Sequence, residues 1–126
     1  MPRILVIDDD AMLRSAVRRI LERAGYDVLE AGDGAAGLQL HREQGPDVVI
    51  VDIFMPELDG LEFIRDLRGV APGARIIAIS GGGRSGKTDL LKDAAVFGAE
   101  RILLKPFEMT ELLAAVRELL QQDPAG

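Results

Sequence analysis

Ile4-Leu5-Val6-Ile7-Asp8-Asp9-Asp10 sets four apolar residues in a row and follows them with three carboxylates. A strand with one face in water alternates apolar and polar positions, whereas an unbroken apolar run suits a parallel strand covered on both faces. Two more runs of this kind lie downstream, at residues 48–51 and 76–79, and each also ends on a polar residue, Asp52 and Ser80. Shorter runs at 28–29 and 102–104 have more polar neighbours, as edge strands do. Helical spacing fills the gaps. Leu13, Val17, Ile20, Leu21 and Ala24 follow the i, i+4, i+7, i+8, i+11 pattern, with Gly25 as a stop. Met109, Leu112, Leu113, Val116, Leu119 and Leu120 repeat it later in the chain.

Residues 33–44, 58–68 and 88–97 have weaker helical patterns, so strand and helix alternate five times. That alternation predicts an α/β fold, a flavodoxin-like (βα)5 three-layer sandwich with a parallel sheet in the order 2-1-3-4-5. The 126 residues make one domain, expected over 1–122, with a short polar tail at 123–126. There is no cysteine and a single histidine, His41, which excludes a thiolate metal site, a disulfide framework and a cysteine nucleophile. The net charge of −6, with aromatics at 4% and no Trp, argues against a nucleic-acid partner. No apolar run is long enough to span a membrane, and the start does not read as a signal peptide, so a cytoplasmic protein is expected.

In an open parallel sheet, chemistry collects at the carboxyl ends of the strands, beside the point where the strand order reverses. The first strand ends in Asp8, Asp9 and Asp10, the third in Asp52, the fourth in Ser80, and the fifth in Lys105-Pro106. The fold therefore brings carboxylates, a hydroxyl and an ammonium to one rim. Two carboxylates about 4 Å apart repel by roughly 4 kcal/mol at an effective dielectric near 20, so such a cluster must take up protons or bind a cation. Oxygen donors without His or Cys select a hard ion, and few protein ligands with open water positions suit Mg²⁺ better than Ca²⁺. Asp10, nearest the following helix, is expected to serve only as its cap.

The set Ile4–Asp10 as quoted, Pro46-Asp47 before the third strand, Asp52, Met55-Pro56, Asp59-Gly60, Ser80 and Lys105-Pro106-Phe107 resembles the response-regulator receiver domain of bacterial two-component signalling. The resemblance implies that Asp52 is the phosphoacceptor, taking a phosphoryl group from a sensor histidine kinase or a phosphotransfer protein. It implies that Asp9, Asp52 and the backbone carbonyl of Phe54 ligate Mg²⁺, with Asp8 holding a coordinated water. Lys105 would pair with the phosphoryl oxygens, and the Ser80 hydroxyl would move to report the phosphoryl group. Such a chain is a phosphoacceptor rather than an enzyme. It would signal through the face formed by residues 88–121, to a target protein or an output domain outside this chain. Where receivers usually carry Tyr or Phe three residues before the lysine, this chain has Ile102, so the switch would work through Ser80 and the glycine-rich segment after it.

Other motifs compete for attention. Gly81-Gly82-Gly83-Arg84-Ser85-Gly86-Lys87-Thr88 satisfies the Walker A pattern of a P-loop nucleotide site. Only 38 residues follow Thr88, too few for the rest of an NTPase core, and a P-loop leaves Asp8, Asp9 and Lys105 without a role. An aspartyl-phosphate phosphatase would need a second acid two residues after Asp52, where Phe54 stands. His41 is expected to be exposed, and Met55 and Phe107 are expected to pack.

Overall fold

Five strands, β1 (Arg3–Ile7), β2 (Asp27–Ala31), β3 (Val48–Asp52), β6 (Ile76–Ser80) and β7 (Arg101–Leu104), pair in parallel in the computed structural model. Their spatial order is β2-β1-β3-β6-β7, the expected 2-1-3-4-5 order once the sheet strands alone are counted. The remaining two, β4 (Phe54–Met55) and β5 (Leu58–Asp59), form a separate antiparallel ladder just past β3. The helices among the described residues are α1 (Ala11–Arg23), α2 (Gly34–Gln44), α3 (Gly60–Val70) and α4 (Met109–Gln121). The structure describes residues 1–55, 58–80, 98–104 and 106–121, without the side chains at 54, 55, 58–61 and 80. The helix expected over 88–97, the Walker-like segment, Lys105 and the tail at 123–126 lie outside the described residues.

Side-chain parity sorts the core into two layers. Ile4 and Val6 of β1, Val48 and Ile50 of β3, and Ile77 and Ile79 of β6 pack with Val17 and Leu21 of α1 and Leu112, Val116 and Leu119 of α4. Their odd or even neighbours Leu5, Ile7, Val49, Val51, Ile76 and Ala78 face Phe63, Ile64 and Leu67 of α3, with Ala36, Leu38 and Leu40 of α2 alongside. Both faces of the central strands are therefore covered, which is why their sequences are continuously apolar. The shorter runs are the two edges, β2 and β7.

Local chemistry sets most boundaries. Asp10 accepts from the backbone N–H of Met12 and Leu13 at the start of α1, and Asp33 accepts from Ala36 N–H at the start of α2. Gly25, at φ +98°, ends α1: its N–H donates to the Glu22 carbonyl and Tyr26 N–H to the Leu21 carbonyl, a Schellman closure. Two expectations need correction. The helix expected from residue 58 begins at Gly60, because Leu58 and Asp59 pair instead with Met55 and Phe54. His41 is half-buried rather than exposed, and burial pushes its pKa below the ordinary value.

Candidate functional site

Register builds the site. Ile4 lies opposite Val48 and Ile7 opposite Val51, an offset of 44 residues that carries Asp8 level with Asp52. Adjacent strands lie about 4.8 Å apart, and positions 8 and 52 share the parity of the residues facing α1 and α4. Both carboxylates are accordingly buried, Asp8 at 3% exposure and Asp52 at 4%. Asp9 is exposed and completes the group. One ligand oxygen from each of Asp8, Asp9 and Asp52 lies within 4.8 Å of the others. At the usual Mg²⁺ bond length opposite ligands lie about 4.2 Å apart and adjacent ones about 3 Å, so three oxygens within 4.8 Å of one another would draw together on a directly bound ion or hold it partly through its water. The donors are oxygens alone, one side is open to water, and the fit is to a small hard cation.

The β1–α1 turn is held at several points. Asp8 N–H donates to the Ala31 carbonyl at 3.1 Å, and Asp10 N–H donates to Asp8 Oδ1 at 2.9 Å. The Asp10 carboxylate is occupied by the helix cap, at 3.0 Å from Met12 N and 3.2 Å from Leu13 N. It therefore stands apart from the cation group, as expected of a cap. Residues that sequence reading missed reinforce the same turn. Arg14 Nη1 donates to the Asp8 carbonyl at 2.6 Å, and its Nε to Glu30 Oε1 at 3.2 Å. Glu30 Oε2 accepts from Arg18 Nη1 at 2.8 Å, and Arg18 Nε donates to Glu22 Oε2. The Arg18 hydrogen bond, aided by Arg14 and opposed by burial, holds the Glu30 carboxyl below its ordinary pKa. Arg14, Arg18 and Glu22 recur every four residues along α1, a signal visible in the sequence; their partner on β2 is not.

The other expected residues are placed more coarsely. Ser80 is the last residue of β6 and lies opposite Leu104, the last of β7. Phe54 opens β4 two residues past Asp52 and pairs with Asp59. The turn between is anchored by Ile53 N–H on the Ile79 carbonyl, at 3.0 Å. Ile102 sits opposite Ala78, half-buried against the α3 layer. Phe107 packs against the α1/α4 layer, as expected.

Residues 4–117 match the response regulator receiver domain family. The chain belongs to it. The receiver is 35% identical to the chemotaxis protein CheY of Bacillus subtilis over 119 residues, 94% of this chain and 97% of that one. It is 40% identical to the response regulator MprA of Mycobacterium tuberculosis over 120 residues, 95% of this chain but 51% of that one. The chain thus spans about half the length of the MprA relatives. Among solved structures, a receiver domain protein from Clostridium thermocellum superposes with a TM-score of 0.88 at 31% identity, covering 95% of this chain and 94% of that one. This receiver is therefore a domain of two-component signalling. Among its described residues no helix is long and apolar enough to cross a membrane.

Proposed function

We propose that this receiver accepts a phosphoryl group on Asp52 from a phosphohistidine of a sensor kinase or phosphotransfer protein, with Mg²⁺ bound at Asp8, Asp9 and Asp52. The observation that carries this reading is the trio itself, two carboxylates buried side by side and a third closing over them from the turn. A buried carboxylate pair with a third carboxylate beside it suits a nucleophile held against a cation. Asp9, Asp52 and the Phe54 carbonyl would hold the ion directly, and Asp8 would orient one of its waters. The ion supplies charge neutralisation for the phosphoryl oxygens. Asp52 Oδ attacks phosphorus, the P–N bond breaks, and the departing imidazole nitrogen keeps the electron pair. Lys105 and the Ser80 hydroxyl would each bind one phosphoryl oxygen. The chain is then a phosphoacceptor and not an enzyme turning over a separate substrate.

Phosphorylation can shift the domain only through contacts that differ between its two states. The Ser80 and Lys105 contacts are those contacts, and the face formed by residues 88–121 carries the change to a target or output domain. Ile102 is β-branched with a stiff χ1 and cannot sweep the volume of an aromatic ring, so the response falls mainly on the segment after Ser80.

Labelling by a small acyl phosphate with Mg²⁺ tests the assignment. The wild type should take one phosphoryl group per chain, and Asp52→Asn none. Labelling of Asp52→Asn at the wild-type rate would refute it. Lys87→Ala should leave Mg²⁺ binding and labelling unchanged; tight ATP binding that this variant loses would favour a P-loop instead.

A further inference from the structure

Arg14 touches none of the three carboxylates, yet it is bonded to the peptide that joins two of them. Its Nη1 donates to the Asp8 carbonyl at 2.6 Å while Asp8 N–H is held by the Ala31 carbonyl. The backbone is thereby pinned on both sides of the Asp8 Cα, and the direction in which the chain leaves toward Asp9 is set. Arg14 cannot swing away, because Glu30 holds its Nε and Arg18 holds the other oxygen of Glu30. The Arg14 and Glu30 side chains are 20% and 26% exposed, so water competes with this contact less than at an open surface. Repulsion among three carboxylates within 4.8 Å of one another pushes against the closure of the turn. A guanidinium on the Asp8 carbonyl opposes that push both mechanically and by its charge.

We propose that Arg14, locked by Glu30, is a positioning residue that holds the Asp8–Asp9 turn in a cation-ready geometry before Mg²⁺ arrives. The proposal rests on the assignment of Asp8, Asp9 and Asp52 as the Mg²⁺ site. Partners that orient ligands from behind typically alter metal affinity by about tenfold to a hundredfold. Loss of Arg14 should therefore weaken Mg²⁺ binding by about tenfold, while the labelling rate at saturating Mg²⁺ stays close to wild type. Arg14→Lys should recover only part of the loss, since one ammonium cannot serve the carbonyl and Glu30 with the fixed fork of a guanidinium.

Mg²⁺ titration by calorimetry, together with amide hydrogen exchange at Asp9 and Asp10 in the metal-free protein, supplies the test. Arg14→Met should lower the affinity and speed exchange at both amides. Glu30→Gln should do so more weakly, and the double variant Arg14→Met/Glu30→Met should be no worse than Arg14→Met alone. Arg101→Met removes a guanidinium paired with Glu118 at the opposite end of the sheet and should leave Mg²⁺ affinity unchanged. If Arg14→Met fails to fold, Arg14→Lys and Glu30→Gln decide. Wild-type affinity in folded Arg14 variants with only a lowered melting temperature would overturn the proposal, as would an equal loss in Arg101→Met. A wild-type chain that binds no Mg²⁺ would overturn the site assignment and this proposal together.

Discussion

Gly37, on the inner face of α2, and Gly69, on the outer face of α3, should respond to the same substitution with opposite signs. A Cβ at Gly37 would stand 2.5 Å from Ile7 Cδ1 and 3.0 Å from Ile7 Cγ1, with Phe63 Cε1 3.6 Å away on another side. Carbon atoms in contact sit near 3.5–4.0 Å, so more than an ångström must be opened. Ile7 is fully buried and cannot turn its methyl into water, so either its rotamer or the α2–sheet spacing has to give. Overpacking of this kind costs typically 1–3 kcal/mol, and Ala in place of Gly returns about 1 kcal/mol of helix propensity. Because the approach is as close as 2.5 Å, the cost falls in the upper half of that range, about 2–3 kcal/mol, and the net for Gly37→Ala is a loss of about 1–2 kcal/mol, or roughly 5 °C in melting temperature for a chain this long. Nothing lies within 4 Å of a Cβ at Gly69, so Gly69→Ala should gain about 0.5 kcal/mol. Urea unfolding of the two single variants measures both. A Gly37→Ala protein as stable as the wild type would show that α2 is not pressed onto β1 as described. Because Ile7 adjoins Asp8, Gly37→Ala should also weaken Mg²⁺ binding, which Gly69→Ala should leave alone.

The acidic trio predicts that Asp52→Asn is more stable than the wild type in chelator by about 1–2 kcal/mol, a pairwise repulsion of about 3.5 kcal/mol at 4.8 Å and an effective dielectric near 20 less the interaction that Asp52 itself makes, and that Mg²⁺ erases the difference. Calorimetric melts with and without Mg²⁺ decide; a destabilised variant in chelator would contradict the charge argument. For His41, burial holds the folded pKa below its ordinary 6.5, so the unfolded chain binds a proton first as pH falls. Stability should therefore decline below about pH 6.5 and level off beneath the folded pKa, and His41→Gln should lack that decline; parallel slopes in the two proteins would count against it. Gly98 has φ +115°, and a Cβ there would stand 2.7 Å from Nε of Arg68, whose guanidinium binds the Pro72, Ala74 and Gly98 carbonyls and the Glu100 carboxylate. Gly98→Ala should cost about 2–3 kcal/mol in denaturant unfolding, and a loss below half a kcal/mol would mean that this loop is easily remodelled.

Much of this receiver was legible in its sequence because the deciding signals are local. Burial on both faces writes itself into a strand as an unbroken apolar run, so the three central strands and the two edges could be told apart. Strand ends are where a parallel sheet exposes chemistry, so Asp8, Asp9 and Asp52 stood out, and Asp10 was recognisable as a cap from its place beside α1. Other features depend on which residues meet across the sheet, and no local pattern encodes that. The 44-residue register sets Asp8 beside Asp52, and the β1–β2 pairing brings Glu30 to Arg14 and Arg18. The approach of α2 to Ile7 makes a glycine necessary at 37 and leaves His41 half-buried on a face whose sequence looked polar. Sequence determined which residues could form the sheet and its acidic rim, because periodicity and burial act along one chain segment at a time. Tertiary structure alone decided which charges stand within bonding distance, because that distance is set by register and helix packing between segments far apart in the chain.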